Sequence, residues 1–190
     1  ITDSNTFVCN RTKIRGCTNY WNGIEADGFG KSVIINSTST LQDMSVGVWI
    51  KNNAFLQSKN STFLNNLYQS IRFDNIKAPQ YRSTIKGNTF KSNASLLPQG
   101  ATSYCSAFTG IYAFNSTDIE IGDSIGAGNT FGSLKLGVLI SGDANIGTIL
   151  TDSTSRIGIY NNKFKNITDC QMTGTYLDNQ KINYCYNYIY

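Results

Sequence analysis

Gly23-Ile24-Glu25-Ala26 and Gly47-Val48-Trp49-Ile50 are two copies of one short pattern, in which a glycine precedes alternating aliphatic and polar or aromatic residues. The pattern returns as Ser70-Ile71-Arg72-Phe73, Gly110-Ile111-Tyr112-Ala113 and Gly137-Val138-Leu139-Ile140. The first three copies begin 24 and 23 residues apart, and a fixed period of this size indicates a solenoid with one copy in each coil. The later intervals of 40 and 27 residues indicate coils with insertions.

A second repeated signal keeps step with the first: Asn60-Ser61-Thr62-Phe63, Asn88-Thr89-Phe90, Asn129-Thr130-Phe131 and Asn162-Lys163-Phe164. Alternation within four-residue segments is typical of short strands and not of helices. We therefore expect about three strands in each coil, with like side chains stacked along one axis. The predicted inward columns are Ile24, Val48, Ile71, Ile111 and Val138; Ala26, Ile50, Phe73, Ala113 and Ile140; and Leu41, Phe63, Phe90, Phe131 and Phe164.

The domain organisation follows from where these signals occur. Residues 1–20 lack them and are predicted to form an opening coil or N-terminal cap, residues 21–167 the β-helix, and residues 168–190 a C-terminal strand or cap. Insertions are expected near 92–109 and 141–154, and long loops on a rigid scaffold often carry function. The chain is one domain, and because it begins at Ile1 we expect it to be part of a longer polypeptide.

Composition excludes several classes of partner. The net charge of +4 over 190 residues includes no Lys/Arg run, so neither nucleic acid nor an anionic membrane is expected to bind. No apolar run is long enough to insert into a membrane. Charged residues make up only 15% of the chain, and Asn, Ser, Thr and Gly replace them, as is typical of secreted β proteins.

The five cysteines are too scattered for a zinc site, and the chain has no histidine to join them. We expect structural cysteines, with Cys9–Cys17 and Cys170–Cys185 as the candidate disulfides near the two ends. Cys105 would then be left unpaired or would bond outside the chain.

The chain resembles a right-handed parallel β-helix of the pectate-lyase-like class, and in particular the β-helix regions of secreted, cell-surface proteins of Bacteroidota exported by the type IX route. Three stretches carry the resemblance, which covers residues 17–167: Cys17 to Glu25, Asn60 to Asn75 and Gly158 to Ile167. It implies an all-β, single-stranded solenoid of about six or seven coils. It also implies an extracellular or cell-surface address. It implies no single activity, because this superfamily includes lyases, hydrolases, esterases, tailspikes and stalks.

The outward face of the glycine-pattern strands is the candidate ligand-binding surface. Alternation predicts two outward files, one of Glu25, Trp49, Arg72, Tyr112 and Leu139, and one of Asp27, Lys51, Asp74, Phe114 and Ser141. Enzymes resembling this fold act on the outer face of one parallel sheet, so Glu25, Trp49, Lys51, Arg72, Asp74 and Tyr112 are candidates for gripping a sugar chain. A solvated ladder of alternating charges is the structural alternative, since exposed ion pairs contribute less than about 1 kcal/mol each.

Complete catalytic sets are missing from the sequence. Without histidine, neither a Ser-His nor a Cys-His nucleophile can form, and the chain lacks the Asp-Asp and Gly-His-Gly segments that resemblance to polygalacturonases would require. An esterase-like set of Asp27, Asp74 and Arg72 is the remaining alternative. No metal site is predicted; any ion would need all-oxygen ligands, so calcium is the ion to test.

Six Asn-x-Ser/Thr sequons occur, at Asn10, Asn36, Asn60, Asn93, Asn115 and Asn166. They would be glycosylated in a eukaryotic secretory pathway. A chain this rich in Asn, Ser and Thr also produces sequons by composition alone. If the resemblance to bacterial surface proteins holds, Ser124 and Ser153 are candidate O-glycosylation sites.

The sequence thus favours a non-catalytic, extracellular β-helix segment of a cell-surface adhesin or filament, which binds a polysaccharide or another surface protein. The competing hypothesis is a polysaccharide lyase or esterase that uses the outer-face residues Glu25, Asp27, Lys51, Arg72 and Asp74.

Overall fold

The computed structural model describes residues 5–16, 20–92, 109–123, 125–126, 128–143, 156–165, 175–177 and 188–189. Over these residues the chain is a single-stranded parallel β-helix, and every regular element is a strand that pairs in parallel with the equivalent strand of the next coil. A right-handed coil is the expected hand, because crossovers between parallel strands of one sheet are right-handed in nearly all cases.

Three sheets form the walls of the solenoid. The glycine sheet contains β3 (Ile24–Asp27), β6 (Val46–Lys51), β9 (Gln69–Asp74), β12 (Thr109–Phe114), β15 (Leu136–Ser141) and β18 (Thr175–Leu177). The phenylalanine sheet contains β2 (Lys13–Arg15), β5 (Thr40–Gln42), β8 (Thr62–Leu64), β11 (Thr89–Lys91), β14 (Thr130–Gly132), β17 (Lys163–Lys165) and β19 (Tyr188–Ile189). The third sheet contains β1 (Thr6–Asn10), β4 (Ser32–Asn36), β7 (Phe55–Lys59), β10 (Ser83–Lys86), β13 (Ile119–Gly122) and β16 (Ile157–Tyr160).

The predicted inward columns are confirmed by the strand register. Ile24 pairs with Val48, and the column continues through Ile71, Ile111 and Val138. The second column and the Leu41-to-Phe164 column pair in the same way, and nearly all of their side chains are fully buried. The four phenylalanine rings stack face to face, with centroids 4.7 to 5.0 Å apart. Burial of these columns is the main source of stability in the fold.

The glycine that opens the repeated pattern is required by contact between coils. A Cβ atom at Gly47 would lie 2.4 Å from the carbonyl oxygen of Ser70, and one at Gly23 would lie 1.6 Å from that of Val46. The backbones of successive coils therefore approach too closely at this column for most side chains.

Single residues in the left-handed backbone conformation turn the corners between sheets. After the glycine-sheet strands these residues are Asn52, Asn75 and Asn115, with φ of 50°, 58° and 46°. Each donates its backbone N–H to a carbonyl oxygen of the next coil, as Asn52 does to Asp74 at 3.1 Å. Asparagine tolerates this conformation better than other residues with a side chain, which explains why the chain is rich in it.

A buried asparagine ladder runs along the corner that precedes the phenylalanine sheet. The backbone N–H and the Nδ2 of Asn88 donate to Oδ1 of Asn129 at 2.9 and 3.2 Å, and those of Asn129 donate to Oδ1 of Asn162, both at 2.9 Å. The second Nδ2 hydrogen of Asn129 goes to the carbonyl oxygen of Ile85 at 2.8 Å. The ladder pairs these buried amide groups, which would otherwise be costly.

The predicted insertions 92–109 and 141–154 lie mostly outside the described residues, as does most of the segment 168–190. On both sides of the first insertion the strands keep register, since Phe90 pairs with Phe63 and Ile111 with Ile71. The described part of the chain has no helix of the length and apolar character that would let it span a bilayer.

The thiol of Cys9 is free and buried in the core, where it pairs in register with Ile35. Burial raises its pKa. The structure therefore does not support the predicted Cys9–Cys17 disulfide: the inward register position of Cys9 buries its thiol in the apolar core. Cys17, Cys105, Cys170 and Cys185 lie outside the described residues.

Candidate binding face on the glycine sheet

The outer face of the glycine sheet carries the two predicted files in register. Glu25, Trp49, Arg72, Tyr112 and Leu139 follow one another on successive strands, and Asp27, Lys51, Asp74, Phe114 and Ser141 form the neighbouring file. Parallel strands lie about 4.8 Å apart, so each file places one side chain per coil along the axis. The six predicted ligand-binding residues therefore share one surface.

The ionic cluster lies at the β3 end of this face. The amine of Lys51 contacts Oε1 of Glu25 at 2.6 Å and Oδ2 of Asp27 at 3.3 Å, and both carboxylate side chains are nearly half exposed. The contact with Glu25, followed by that with Asp27, raises the pKa of Lys51. A hydrogen bond from Nδ2 of Asn52 at 2.7 Å, with Lys51 as the next contributor, lowers the pKa of Asp27. Lys51 and Asp27 are therefore charged at neutral pH.

The aromatic cluster lies next to the ionic cluster. The guanidinium carbon of Arg72 lies 4.6 Å from the ring centroid of Trp49 and 5.5 Å from that of Tyr112, both within cation–π range. The amine of Lys51 also lies 4.6 Å from the Trp49 centroid. Hydrogen bonds from Nε1 of Trp49 at 2.7 Å and Nε of Arg72 at 2.8 Å both end on Oδ2 of Asp74.

The side chain of Asp74 is only 10% exposed, so it fixes its neighbours in place and presents little surface of its own. The other carboxylate oxygen, Oδ1, is buried and accepts no hydrogen bond from any residue that the structure describes. No described residue accepts a hydrogen bond from the two Nη groups of Arg72, and the side chain is 31% exposed. Arg72 is therefore held by its Nε and its flat faces while its donor-rich edge meets solvent.

The alternative catalytic residues occupy separate environments. Asp27 accepts from Asn52 and Lys51, whereas Asp74 accepts from Trp49 and Arg72, and the strand carrying Lys51 lies between the two aspartates. General acid–base chemistry needs a proton donor or acceptor within reach of one reacting group. Among the described residues, no group of three or more acidic or cysteine side chains is placed to hold a metal ion.

Asn52 and Ser141 also make contacts on this face, and neither was among the predicted ligand-binding residues. Asn52 contacts Asp27, and the hydroxyl groups of Ser141 and Tyr112 lie 3.1 Å apart. The file pattern had placed Ser141 on this surface. Asn52 turns the corner after β6, and only its repeated position after a glycine-sheet strand could have pointed to it.

Four of the candidate N-glycosylation residues lie at corners of the solenoid. Asn10 and Asn60 are exposed, while Asn36 and Asn115 are half-buried. Asn93, Asn166, Ser124 and Ser153 lie outside the described residues. Glycosylation remains a prediction at all of these positions.

The sequons at these corners have a structural explanation. Hydroxyl groups just after the corner donate back to a carbonyl oxygen at the end of the preceding strand, as Thr12 does to Asn10 at 3.0 Å and Ser116 to Phe114 at 2.7 Å. A left-handed asparagine followed by serine is thus favoured at Asn60 and Asn115, whereas in the Asn10 and Asn36 sequons the left-handed residues are Arg11, Ser37 and Thr38.

No protein-family model matches this chain, and no curated protein matches it. A solved structure with some similarity is a trypsin-treated variant of QnrB1, a plasmid-mediated fluoroquinolone resistance protein. It is 14% identical, the match covers 92% of each chain, and the TM-score is 0.21. Similarity at this level supports no inference about the present chain, which its own strand pairing defines as a parallel β-helix.

Proposed function

We propose that the chain is a non-catalytic, extracellular β-helix segment of a cell-surface adhesin or filament, and that the outer face of its glycine sheet binds a polysaccharide chain or another surface protein. The observation that carries the proposal is the fixed geometry of Arg72. Its guanidinium lies beside the rings of Trp49 and Tyr112 and donates from Nε to Asp74, and no described residue accepts from its Nη groups. Such pre-organisation lowers the entropic cost of binding.

The stiffness expected of a stalk supports the same proposal. Six parallel strands in the glycine sheet, about 4.8 Å apart, give a continuous stack with repeated ring and amide ladders. Each coil contacts its neighbours along all three walls, so bending would break several contacts at once. We further propose, from the sequence resemblance, that the parent polypeptide belongs with the secreted surface proteins of Bacteroidota that leave by the type IX route.

A glycan array, combined with depolymerisation assays on uronate polymers, tests this function. We expect binding without product formation, and we expect Arg72→Ala to weaken that binding by about tenfold, the loss of one charge-assisted contact. Lys59→Ala is the matched control, because it removes the same charge from an exposed position on the third sheet.

Three outcomes are informative. Release of unsaturated or de-esterified products that is lost in Arg72→Ala would refute the non-catalytic proposal and support the lyase or esterase alternative. Equal loss of binding in Lys59→Ala would show that net charge, and not the glycine-sheet face, controls attachment. If no glycan binds, the same two variants are tested in a pull-down of surface proteins. Capture of a protein that is unchanged in Arg72→Ala would refute the proposed face.

A further inference from the structure

We propose that the outer face of the phenylalanine sheet binds a linear acidic polysaccharide, with one sulfate or carboxylate group seated over Gly132 between Lys91 and Lys165. This wall of the solenoid is a different surface from the glycine-sheet face of the proposed function. Three features of the wall point to such a ligand: its charge, a file of threonines, and a glycine that the fold does not require.

The charged outward residues of this wall, from β2 to β17, are all basic. Each of these strands turns its central residue inward, into the column that ends in Phe164, and its two flanking residues outward. The outward charged residues are Lys13, Arg15, Lys91, Lys163 and Lys165, and all five are exposed. None of them contacts a carboxylate of another described residue. Asp43, which follows β5, is buried and accepts a hydrogen bond from Gln42.

The other two walls have a different distribution of charge. Carboxylates hold three of their basic residues, namely Lys51, Arg72 and Lys86. The net charge of the whole chain is only +4, so five unpaired cations on one wall are a segregation of charge that the total does not reveal. A surface of one sign attracts ligands of the opposite sign.

A file of threonines runs along the same wall. Its members pair in register on successive strands, and the file lies between Lys13 at one end and Lys163 at the other. The four members are Thr40, Thr62, Thr89 and Thr130. Neighbouring strands lie about 4.8 Å apart, so a ligand along the axis meets one hydroxyl group in each coil. None of the four hydroxyl groups forms a hydrogen bond with another described residue, which leaves them able to donate to ligand oxygens.

Gly132 occupies a position where the fold does not require glycine. Its φ lies outside the left-handed region, and an added Cβ would lie 3.8 Å from its nearest neighbour, the carbonyl oxygen of Lys165. Gly23 and Gly47 differ, because a Cβ there would collide with the next coil. Glycine at a paired strand position weakens the strand and often marks a place where a ligand approaches the backbone closely.

The gap left by Gly132 lies between basic side chains. Lys91 precedes Gly132 and Lys165 follows it in the same outward file, so the two lysine Cα atoms are about 10 Å apart, two strand spacings. Lys163 and the exposed Thr130 pair in the neighbouring file. An anionic group over Gly132 would have cations on both sides and a hydroxyl donor beside it, and hydrogen bonds to charged groups are the stronger class.

The length of the basic wall favours a polymer over a free ion. One exposed ion pair contributes less than about 1 kcal/mol, so a single anion would bind weakly. A polymer that places anionic groups on several coils adds such contacts. A polysaccharide fits better than a nucleic acid, because the outward residues from β2 to β17 include no aromatic side chain on which bases could stack.

Two acidic polymers and a neutral one test the site. Dextran sulfate supplies sulfate groups, polygalacturonate supplies carboxylates, and dextran is the uncharged control. Each polymer is titrated into the full chain carrying Arg72→Ala, so that the proposed glycine-sheet site does not contribute. We expect at least one acidic polymer to bind and dextran not to bind, with an affinity that falls as salt is raised.

Variants in the same Arg72→Ala background locate the binding. Replacing Lys91, Lys163 and Lys165 together by glutamine should lower the affinity by about 3- to 100-fold, the range for three exposed ion pairs. The matched control replaces three exposed lysines away from this wall by glutamine and should leave the affinity nearly unchanged; these are Lys31, Lys59 and Lys77.

Filling the gap over Gly132 separates shape from charge. Gly132→Leu keeps every cation and introduces a side chain that the same file already carries at Leu64. It should weaken binding, and Gly132→Ala should weaken it less. Thermal unfolding of each variant checks that the fold is kept.

Several results would overturn the proposal. Failure of both acidic polymers to bind, or equal binding of dextran, would exclude anion recognition. Equal loss in the control lysine variant would assign binding to net charge, and unchanged affinity in Gly132→Leu would exclude the seat over Gly132. Equal affinity for duplex DNA or for inorganic sulfate would assign the wall to a nucleic acid or to a free anion. Because every titration uses the Arg72→Ala chain, failure here leaves the proposed function standing, and failure of the glycine-sheet face leaves this site standing.

Discussion

Replacing Phe90 with alanine should destabilise the protein more than any change to its exposed aromatic residues. Phe90 is fully buried, and its ring stacks on Phe63 at 4.8 Å and on Phe131 at 4.7 Å, with interplanar angles of 12° and 7°. Truncation removes the buried side chain, leaves a cavity between two coils and ends both stacking contacts. We expect a loss of about 4 kcal/mol in the free energy of unfolding.

A graded series makes this prediction quantitative. Phe90→Leu should cost about 1–2 kcal/mol, because leucine keeps most of the apolar volume but not the ring stacking, and Leu41 already occupies the same column beside Phe63. Tyr81→Ala is the control, since Tyr81 is 56% exposed and makes an edge contact with Phe55 at 5.1 Å. It should cost less than about 1 kcal/mol.

Urea denaturation followed by circular dichroism measures all three variants. With an m-value of about 2 kcal/mol/M, Phe90→Ala should lower the unfolding midpoint by about 2 M. Because solenoids can depart from two-state unfolding, the unfolding midpoints are compared among variants that have equal m-values. A shift for Phe90→Ala no larger than that for Tyr81→Ala would refute the stacked column as the stabilising core.

Three further changes probe other parts of the fold. Gly47→Ala should lower the free energy of unfolding, measured in a urea titration, by about 1–3 kcal/mol. Gly132→Ala is the control: its Cβ would lie 3.8 Å from its nearest neighbour, so the change should be less than about 1 kcal/mol. Equal effects would contradict the close contact between coils. Asn129→Ala should cost about 2–4 kcal/mol because it leaves buried partners unpaired, and an effect as small as that of Gly132→Ala would rule out the ladder. Since the Asn52 hydrogen bond lowers the pKa of Asp27, this carboxylate stabilises the fold above its ordinary value of 3.8 and loses that contribution as the pH falls through the lower folded value. Thermal unfolding between pH 5 and 2 should therefore show a shallower acid slope in Asp27→Asn, and an unchanged slope would contradict the assignment.

The columns of the solenoid were predictable because each coil repeats the same physical requirement. The 24-residue period places Ile24 and Val48 in one column, and the repeated Thr-Phe segment places Phe63, Phe90 and Phe131 in another. Period-2 alternation then assigned the outward files without any structural information. Repetition gave several independent copies of one weak local signal.

The interactions within the outer face were less predictable. Register places Asp74 beside Lys51, but the sequence does not show that Asp74 turns under the face to hold Trp49 and Arg72. Side-chain rotamers decide this, and they depend on packing that no pattern encodes. The buried free thiol of Cys9 was not predictable from its spacing to Cys17, because that spacing suits a local disulfide and the burial of the thiol depends on the register of β1 with β4.

The outward side chains of the glycine sheet change in chemistry from strand to strand, whereas the inward columns repeat. Inward columns and corner residues are constrained by contacts repeated in every coil, so their identities report on folding alone. Outward residues escape that constraint, yet they differ from strand to strand: the ionic cluster at β3 and β6 gives way to Arg72 and Tyr112 and then to Leu139 and the partly exposed Phe114. Asp74 differs from a residue of a solvated ladder, because its side chain is only 10% exposed and accepts hydrogen bonds from Trp49 and Arg72. If the proposed face binds a ligand, substitutions of the outward residues in the middle of this sheet should therefore weaken binding without unfolding the protein.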